Sequence, residues 1–166
     1  MSRLDSSASL LRRNLQDQLA AGKRLLALTM QEMEAIMQAD VAGLARVQHS
    51  QQQCIERQTE LENSRRAIMS ELVAHIGGDT EATLSGILPL LPARDREALA
   101  RTKDEILLVS ARLTALNQTN GLLLEKALEY VKFSLDVLTN LALQPAKYGT
   151  NLTHIAAPSF FIDSRV

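Results

Sequence analysis

The chain has 166 residues, 46% of them hydrophobic, enough apolar material for one ordinary domain or an elongated bundle with a core. Its formal net charge is −1, with 18 Lys and Arg against 19 Asp and Glu mixed along the chain, so it has no electrostatic footprint for nucleic acid or an anionic membrane. One cysteine, Cys54, excludes an intrachain disulfide, the start "MSRLDSSASLLRRNLQ" lacks the apolar core of a signal peptide, and no run approaches the ~20 apolar residues that span a bilayer. The expectation is a soluble, cytoplasmic protein without membrane insertion, in which the Asn-x-Thr sequons at Asn117 and Asn151 are accidental.

In chain order, the spacing of Leu11, Leu15, Leu19, Gly22, Leu26, Met30, Met33 and Met37 predicts a first helix over about 6–38. Asp40 stands where an N-cap belongs. A second helix is expected over 41–76, carrying Leu44, Val47, Cys54, Ile55, Leu61, Ile68, Leu72 and Ile76 and stopped by Gly77 and Gly78. A short helical segment, 81–88, precedes Pro89. Pro92 suits the first turn of a long third helix over 93–143, because its missing N–H has no intrahelical acceptor there, and Pro145 ends that helix. Residues 145–166 hold turn formers without a period and read as an irregular or disordered tail. Nothing alternates apolar and polar residues between turns. The fold class is therefore all-α: a single domain over 1–144, built as an elongated antiparallel helical hairpin plus a long third helix in a coiled-coil-like bundle.

The helices cannot match in length. At about 1.5 Å per residue the first two are roughly 50 Å long and the third roughly 75 Å. If the third helix returns along the second, it outruns it near residue 128, and Leu128 to Leu143 overhang the hairpin. The alternative is a break at Gly121 with the chain folding back.

On a helical wheel Asn117 and Asn120 share a sector with Leu113, Leu124, Leu128, Val131, Leu135 and Leu138, which places both in the seam. They would face His49, Ser50, Gln51 and Gln52, the most polar stretch of the second helix. A polar layer within an apolar seam costs stability and fixes register, since a slipped alignment leaves amides unpaired. A ligand site at the same place is the alternative reading.

The overhang carries more apolar surface than one contact can use. Leu128, Val131, Leu135 and Leu138 continue the seam, while Tyr130, Phe133, Val137 and Leu141 form a second stripe. All five aromatic residues, Tyr130, Phe133, Tyr148, Phe160 and Phe161, lie in the last 37 positions, and the first 129 contain none. Aromatic residues dominate interface energetics, so this end is expected to bind another protein, with further tail contacts from Tyr148, Phe160, Phe161 and Ile162. A local C-terminal core or a dimer contact would use the same residues.

Catalytic constellations are scarce. His49, His75 and His154 are scattered, and none has a Cys, His or carboxylate at metal-ligand spacing. A phosphate-binding glycine loop and a nucleophile elbow are both missing, and Cys54 sits on an apolar helical face where a thiol packs. His75, in "LVAHIGGD", lacks the following lysine of a helical phosphotransfer domain. The chain reads as a non-enzyme without cofactor or metal.

Several stretches together carry a family resemblance. They are "LLRRNL" in the first helix, the Asp40-x-x-x-Leu44 restart, Leu61-Glu62-x-x-Arg65, "LNQTNGLLLEKALEYV" over Leu116 to Val131 with its N-x-x-N-x-x-L-L pattern, Tyr148-Gly149, and the closing "FIDSRV". In this order along a chain of this length they resemble the FlgN family of flagellar type III export chaperones. The resemblance implies a cytoplasmic, ATP-independent chaperone that holds hook–filament junction proteins, FlgK and FlgL in that family, masks their terminal helices and delivers them to components of the export apparatus. A different class of protein, a homodimeric coiled-coil scaffold whose overhangs self-associate, is the alternative.

Overall fold

The computed structural model describes residues 3–76 and 83–143, with side chains over 5–75 and 83–140. Gly77, Gly78 and the tail from residue 145, with Tyr148, Phe160, Phe161 and Ile162, lie outside the described residues, as does the side chain of Leu141. Among the described residues every regular element is helical. They are α1 (Arg3–Met37), α2 (Val41–Ile76), α3 (Leu84–Ile87), a 3-10 turn (Leu88–Leu90) and α4 (Ala93–Leu143). The fold class is the all-α helical bundle expected. The chain divides into two compact units, Met1–Glu129 and Tyr130–Val166.

The α1–α2 hairpin is made by a tight helix stop. Ala39 takes the left-handed conformation, with φ of 53°, the position usually reserved for glycine. Asp40 N–H then donates back to the Ala35 carbonyl at 2.9 Å and Ala39 N–H to the Ile36 carbonyl at 3.1 Å, the paired bonds of a Schellman stop. Asp40 at once caps the next helix, its Oδ1 accepting from Gly43 N–H at 2.8 Å and its carbonyl from Leu44 N–H at 2.8 Å. One helix ends and the next begins within three residues, so α1 and α2 run antiparallel.

The short segment differs from expectation. Thr83 caps α3 by accepting from Gly86 N–H at 3.3 Å, so the helix starts later than residue 81 and makes one α-turn before tightening into the 3-10 turn that contains Pro89. Pro92 lies just outside α4 and supplies a carbonyl, accepting from Asp95 and Arg96 N–H at 3.0 and 3.1 Å. This segment closes the main core. Ala8, Leu11 and Leu15 of α1, Met69, Leu72 and Val73 of α2, Ile87, Leu88 and Leu91 of the connection, and Leu99 of α4 form one buried cluster. Leu11, Leu72 and Leu99 are wholly buried, and each such side chain is worth ~1.5–3 kcal/mol of transfer free energy.

Away from this cluster the three long helices meet along a narrower seam. Its inward residues step alternately by three and four: Leu15, Gln18, Gly22, Leu25, Thr29 and Glu32 on α1; Val47, Gln51, Cys54, Gln58 and Leu61 on α2; Leu99, Thr102, Ile106, Val109, Leu113, Leu116, Asn120 and Leu123 on α4. That is a period of about 3.5, the coiled-coil repeat. Met30 and Met37, expected inward, are exposed instead. A straight-helix row of period 3.6 drifts by ~20° per heptad from a coiled-coil seam, and over the length of α1 the drift approaches a full residue position.

The seam has its own polar fastening. Asn14 Nδ2 donates to the Leu61 carbonyl at 3.0 Å, and Gln18 Nε2 donates to the same carbonyl at 3.2 Å and to Asn14 Oδ1 at 3.0 Å. Gly22 lets α4 come close: a Cβ there would stand 3.3 Å from Val109 Cγ1. With Lys23 paired to Glu105 at 2.9 Å and Asn120 bonded to Thr29, α4 runs parallel to α1 and antiparallel to α2.

Candidate partner-binding site

Two of the sequence-predicted sites lie on α4, and their geometry differs from the expectation in different ways. The polar layer exists, but with other members. Asn120 is buried, and its Nδ2 donates to the Thr29 carbonyl at 3.0 Å and to Glu32 Oε2 at 2.9 Å. Gln51 Nε2 donates to the same Glu32 oxygen at 3.2 Å and approaches Thr29 Oγ1 at 3.5 Å. One carboxylate on α1 thus gathers an amide from α2 and an amide from α4. Asn117 is exposed, as are His49, which lies 3.2 Å from Gln53, and Gln52, which donates to Glu56 at 3.0 Å. The physical reason is the 3.5 period: the inward row passes through Leu116 and Asn120, and Asn117 falls one step to its side. Thr29 and Glu32 were missed because their partner is some 90 positions away, and nothing in a local pattern marks such a bond.

The second site is the apolar surface of α4. The helix runs through Gly121 without a break, and nothing stands within 4 Å of where a Cβ on Gly121 would be. Before that point the exposed positions include Leu107 and Leu108 as well as Arg112, Thr114, Asn117, Gln118 and Thr119. After it large apolar residues recur more densely. Leu122, Leu124, Leu128, Tyr130, Val131, Phe133, Leu135, Val137 and Leu138 are all exposed, from 37% for Val137 to 64% for Leu122. Monomeric soluble proteins rarely leave a contiguous apolar patch of more than a few hundred Å² in water, and those that do use it for binding.

The wheel separates these residues into two rows, and the observed seam exchanges their expected roles. Carried along the sequence, the inward alternation of α4 falls on Ala127, Tyr130, Ser134, Val137 and Leu141, so the row with Tyr130 and Val137 continues the seam period. Leu124, Leu128, Val131, Leu135 and Leu138, expected to continue it, form the adjacent row, with Asn117 and Gly121 as its earlier members. Phe133 flanks the first row on its other side. All five aromatic residues of the chain belong to the unit Tyr130–Val166. Glu125, Lys126, Glu129, Lys132 and Asp136 lie on the face that the two rows leave, and Lys126 is held above the usual lysine range by its 2.7 Å bond to Glu129.

Among the described residues no group of three His, Cys, Asp or Glu could hold a metal ion. No described helix is long and apolar enough to cross a membrane. Cys54 is buried and directs its thiol to the Ala21 carbonyl.

Among the described residues, three of the segments that carry the resemblance have a structural reason. Asp40 and Leu44 are joined by the α2 cap bond. Leu61 is buried and its carbonyl receives the α1 amides. Glu62 and Arg65 form a forked pair at 2.7 and 2.9 Å, and that bond, with a further one from Arg66, holds the Glu62 carboxyl below the usual glutamate range. Asn120 locks α4 to α1.

Among the described residues the chain is an all-helical bundle with a core around Leu72 and a run of exposed apolar side chains on α4. The particular family follows from comparison: the model of the family described as FlgN protein matches residues 1–153, and the chain belongs to that family. Its general role is that of a flagellar export chaperone. Among curated proteins and among solved structures, nothing matches the chain.

Proposed function

We propose that this protein is a cytoplasmic chaperone that binds hook–filament junction proteins of the FlgK and FlgL type through the C-terminal part of α4, keeps them from aggregating, and delivers them to the flagellar type III export apparatus. The observation that carries the reading is the exposure of Leu128, Tyr130, Val131, Phe133, Leu135, Val137 and Leu138 on one uninterrupted helix, with Leu141 next in the row. Terminal client segments that are unfolded before export can lay an amphipathic helix against such a face, the helix-in-groove mode. Ordering the client at the moment of binding lowers the net affinity, which suits a cargo that must be released. Tyr148, Phe160, Phe161 and Ile162 are proposed as further contacts from the tail, to the client or to export components.

The test is the double substitution Phe133→Asp and Val137→Asp. Burying one such side chain is worth ~1.5–3 kcal/mol, so losing two and placing charges in a dry contact weakens client binding at least ~100-fold by calorimetry. Because both residues are exposed, the melting temperature stays within a few degrees of the parent. A variant that folds and binds the client normally places the client site elsewhere, and one that unfolds like Leu72→Ala shows the stripe to be core.

A further inference from the structure

The α1–α2 hairpin has a face that α4 does not use. α4 meets α1 at Gly22, Lys23 and Thr29, and Arg24 and Gln31 lie two positions on from Gly22 and Thr29, about 200° round the helix. On that side two clefts, of about 280 and 330 Å³, follow one another between α1 and α2. The first is lined by Ala20, Ala21 and Arg24 of α1 and by Gln53, Cys54 and Arg57 of α2. The second begins one turn further on, at Leu28 and Ser50, and runs to the turn at Asp40. Together they make a groove ~27 Å long, counted from Ala20 to Gln38 at about 1.5 Å per residue.

The floor of the groove includes Ala35, Gly43 and Cys54, all small and buried, so another helix can lie close to the hairpin. Its rims carry opposite charge at the two ends. Arg24 and Arg57 stand on the two helices beside the first cleft; Arg24 has no ion pair among the described residues, and that between Arg57 and Glu60 is mostly exposed and therefore weak. Beside the second cleft stand Glu34, bonded to Gln38, and Asp40, 3.8 Å from Arg46, so acid outnumbers base there.

We propose that this groove docks an amphipathic helix of another protein, one that sets a carboxylate between Arg24 and Arg57 and a Lys or Arg about ten residues away, beside Glu34 and Asp40. The spacing follows from the ten positions that separate Arg24 and Glu34 on α1. An apolar stripe on the docked helix, at steps of three and four, covers the floor. Charge fixes its direction, because the reversed helix puts its cation against two arginines and its carboxylate against two acids. A polyanion such as nucleic acid satisfies the first end and is repelled at the second. A helix seated along ~27 Å hides on the order of 1,000 Å², the low end for a specific interface, which corresponds to a dissociation constant on the order of micromolar. The groove uses no residue of α4, lies wholly within the unit Met1–Glu129, and does not rest on the client reading.

A photo-crosslinking amino acid in place of Gln53 in the full chain, activated in the protein's own cells, captures the occupant, and mass spectrometry reads the captured segment. The expected segment is an amphipathic helix with its acid and base about ten positions apart. Made as a synthetic peptide, it binds the purified full chain with micromolar affinity by fluorescence anisotropy at low salt. Arg24→Glu together with Arg57→Glu weakens that binding at least tenfold, and exchanging the peptide's acid for Lys restores it to this variant. Both arginines are exposed, so the melting temperature of the variant stays near that of the parent. Phe133→Asp with Val137→Asp leaves the peptide's affinity unchanged. Capture of nothing but this chain, a captured segment without the acid–base pair, a charge reversal without effect or without rescue, or loss of binding in the Phe133 and Val137 variant each overturn the proposal.

Discussion

Asn117 and Asn120 are three positions apart on one helix and do different work. Asn120 is buried and gives its amide protons to Thr29 and Glu32, while Asn117 is exposed. Removing a buried donor leaves its acceptors unpaired and costs about 1–2 kcal/mol, whereas an exposed polar side chain away from any cap costs less than about 0.5 kcal/mol. Urea denaturation of Asn120→Ala and Asn117→Ala is expected to give those two values. Equal costs would mean that the layer at Glu32 does not hold α4 to α1. The pair also shows what a sequence conceals at this scale. That a polar layer interrupts an apolar seam was legible from two asparagines set among leucines, but its central carboxylate was not, since Glu32 lies in a stretch whose local pattern is ordinary and acquires its role only from partners on two other helices. Asn14 and Gln18 are a like case, because each looks like a solvated position until the Leu61 carbonyl is brought beside it.

Each helix end in the hairpin has a local cause, and one of them is strained. Ala39 holds a left-handed conformation that costs a residue with a Cβ about 1–2 kcal/mol and a glycine almost nothing. Ala39→Gly therefore stabilises the protein by about 1 kcal/mol after the extra entropy of an unfolded glycine is counted, read as a rise in melting temperature. A fall would show that the turn does not depend on the left-handed residue. The helices themselves were legible because long 3-and-4 spacings, a capping aspartate and terminal prolines all act within a few residues of one another. Which face points inward was less so. α4 carries apolar residues on two adjacent rows after Gly121, and a straight-helix period selects the row through Leu124 and Leu128, whereas packing against α1 and α2 selects the one through Leu116, Asn120 and Leu123. A difference of about 0.1 residue per turn, summed over several turns, exchanges the two.

At the scale of the whole molecule the chain separates its core from its aromatic residues. The unit Met1–Glu129 holds the buried cluster and the polar fastenings and contains no aromatic residue, while the unit Tyr130–Val166 holds all five. On the proposed reading that division suits an export chaperone, because a bundle with its own core can stay folded while a surface with large apolar side chains is covered and uncovered by cargo. The family match over residues 1–153 includes both parts, α4 entire and the segment beyond it as far as residue 153. The most direct test of the claim that clients bind the C-terminal part of α4 is amide hydrogen exchange of the full chain with and without a hook–filament junction protein. The account predicts slowed exchange over residues 124–141 on adding client, with α1 and α2 unchanged. Protection confined to α1 and α2, with 124–141 exchanging as before, would contradict it.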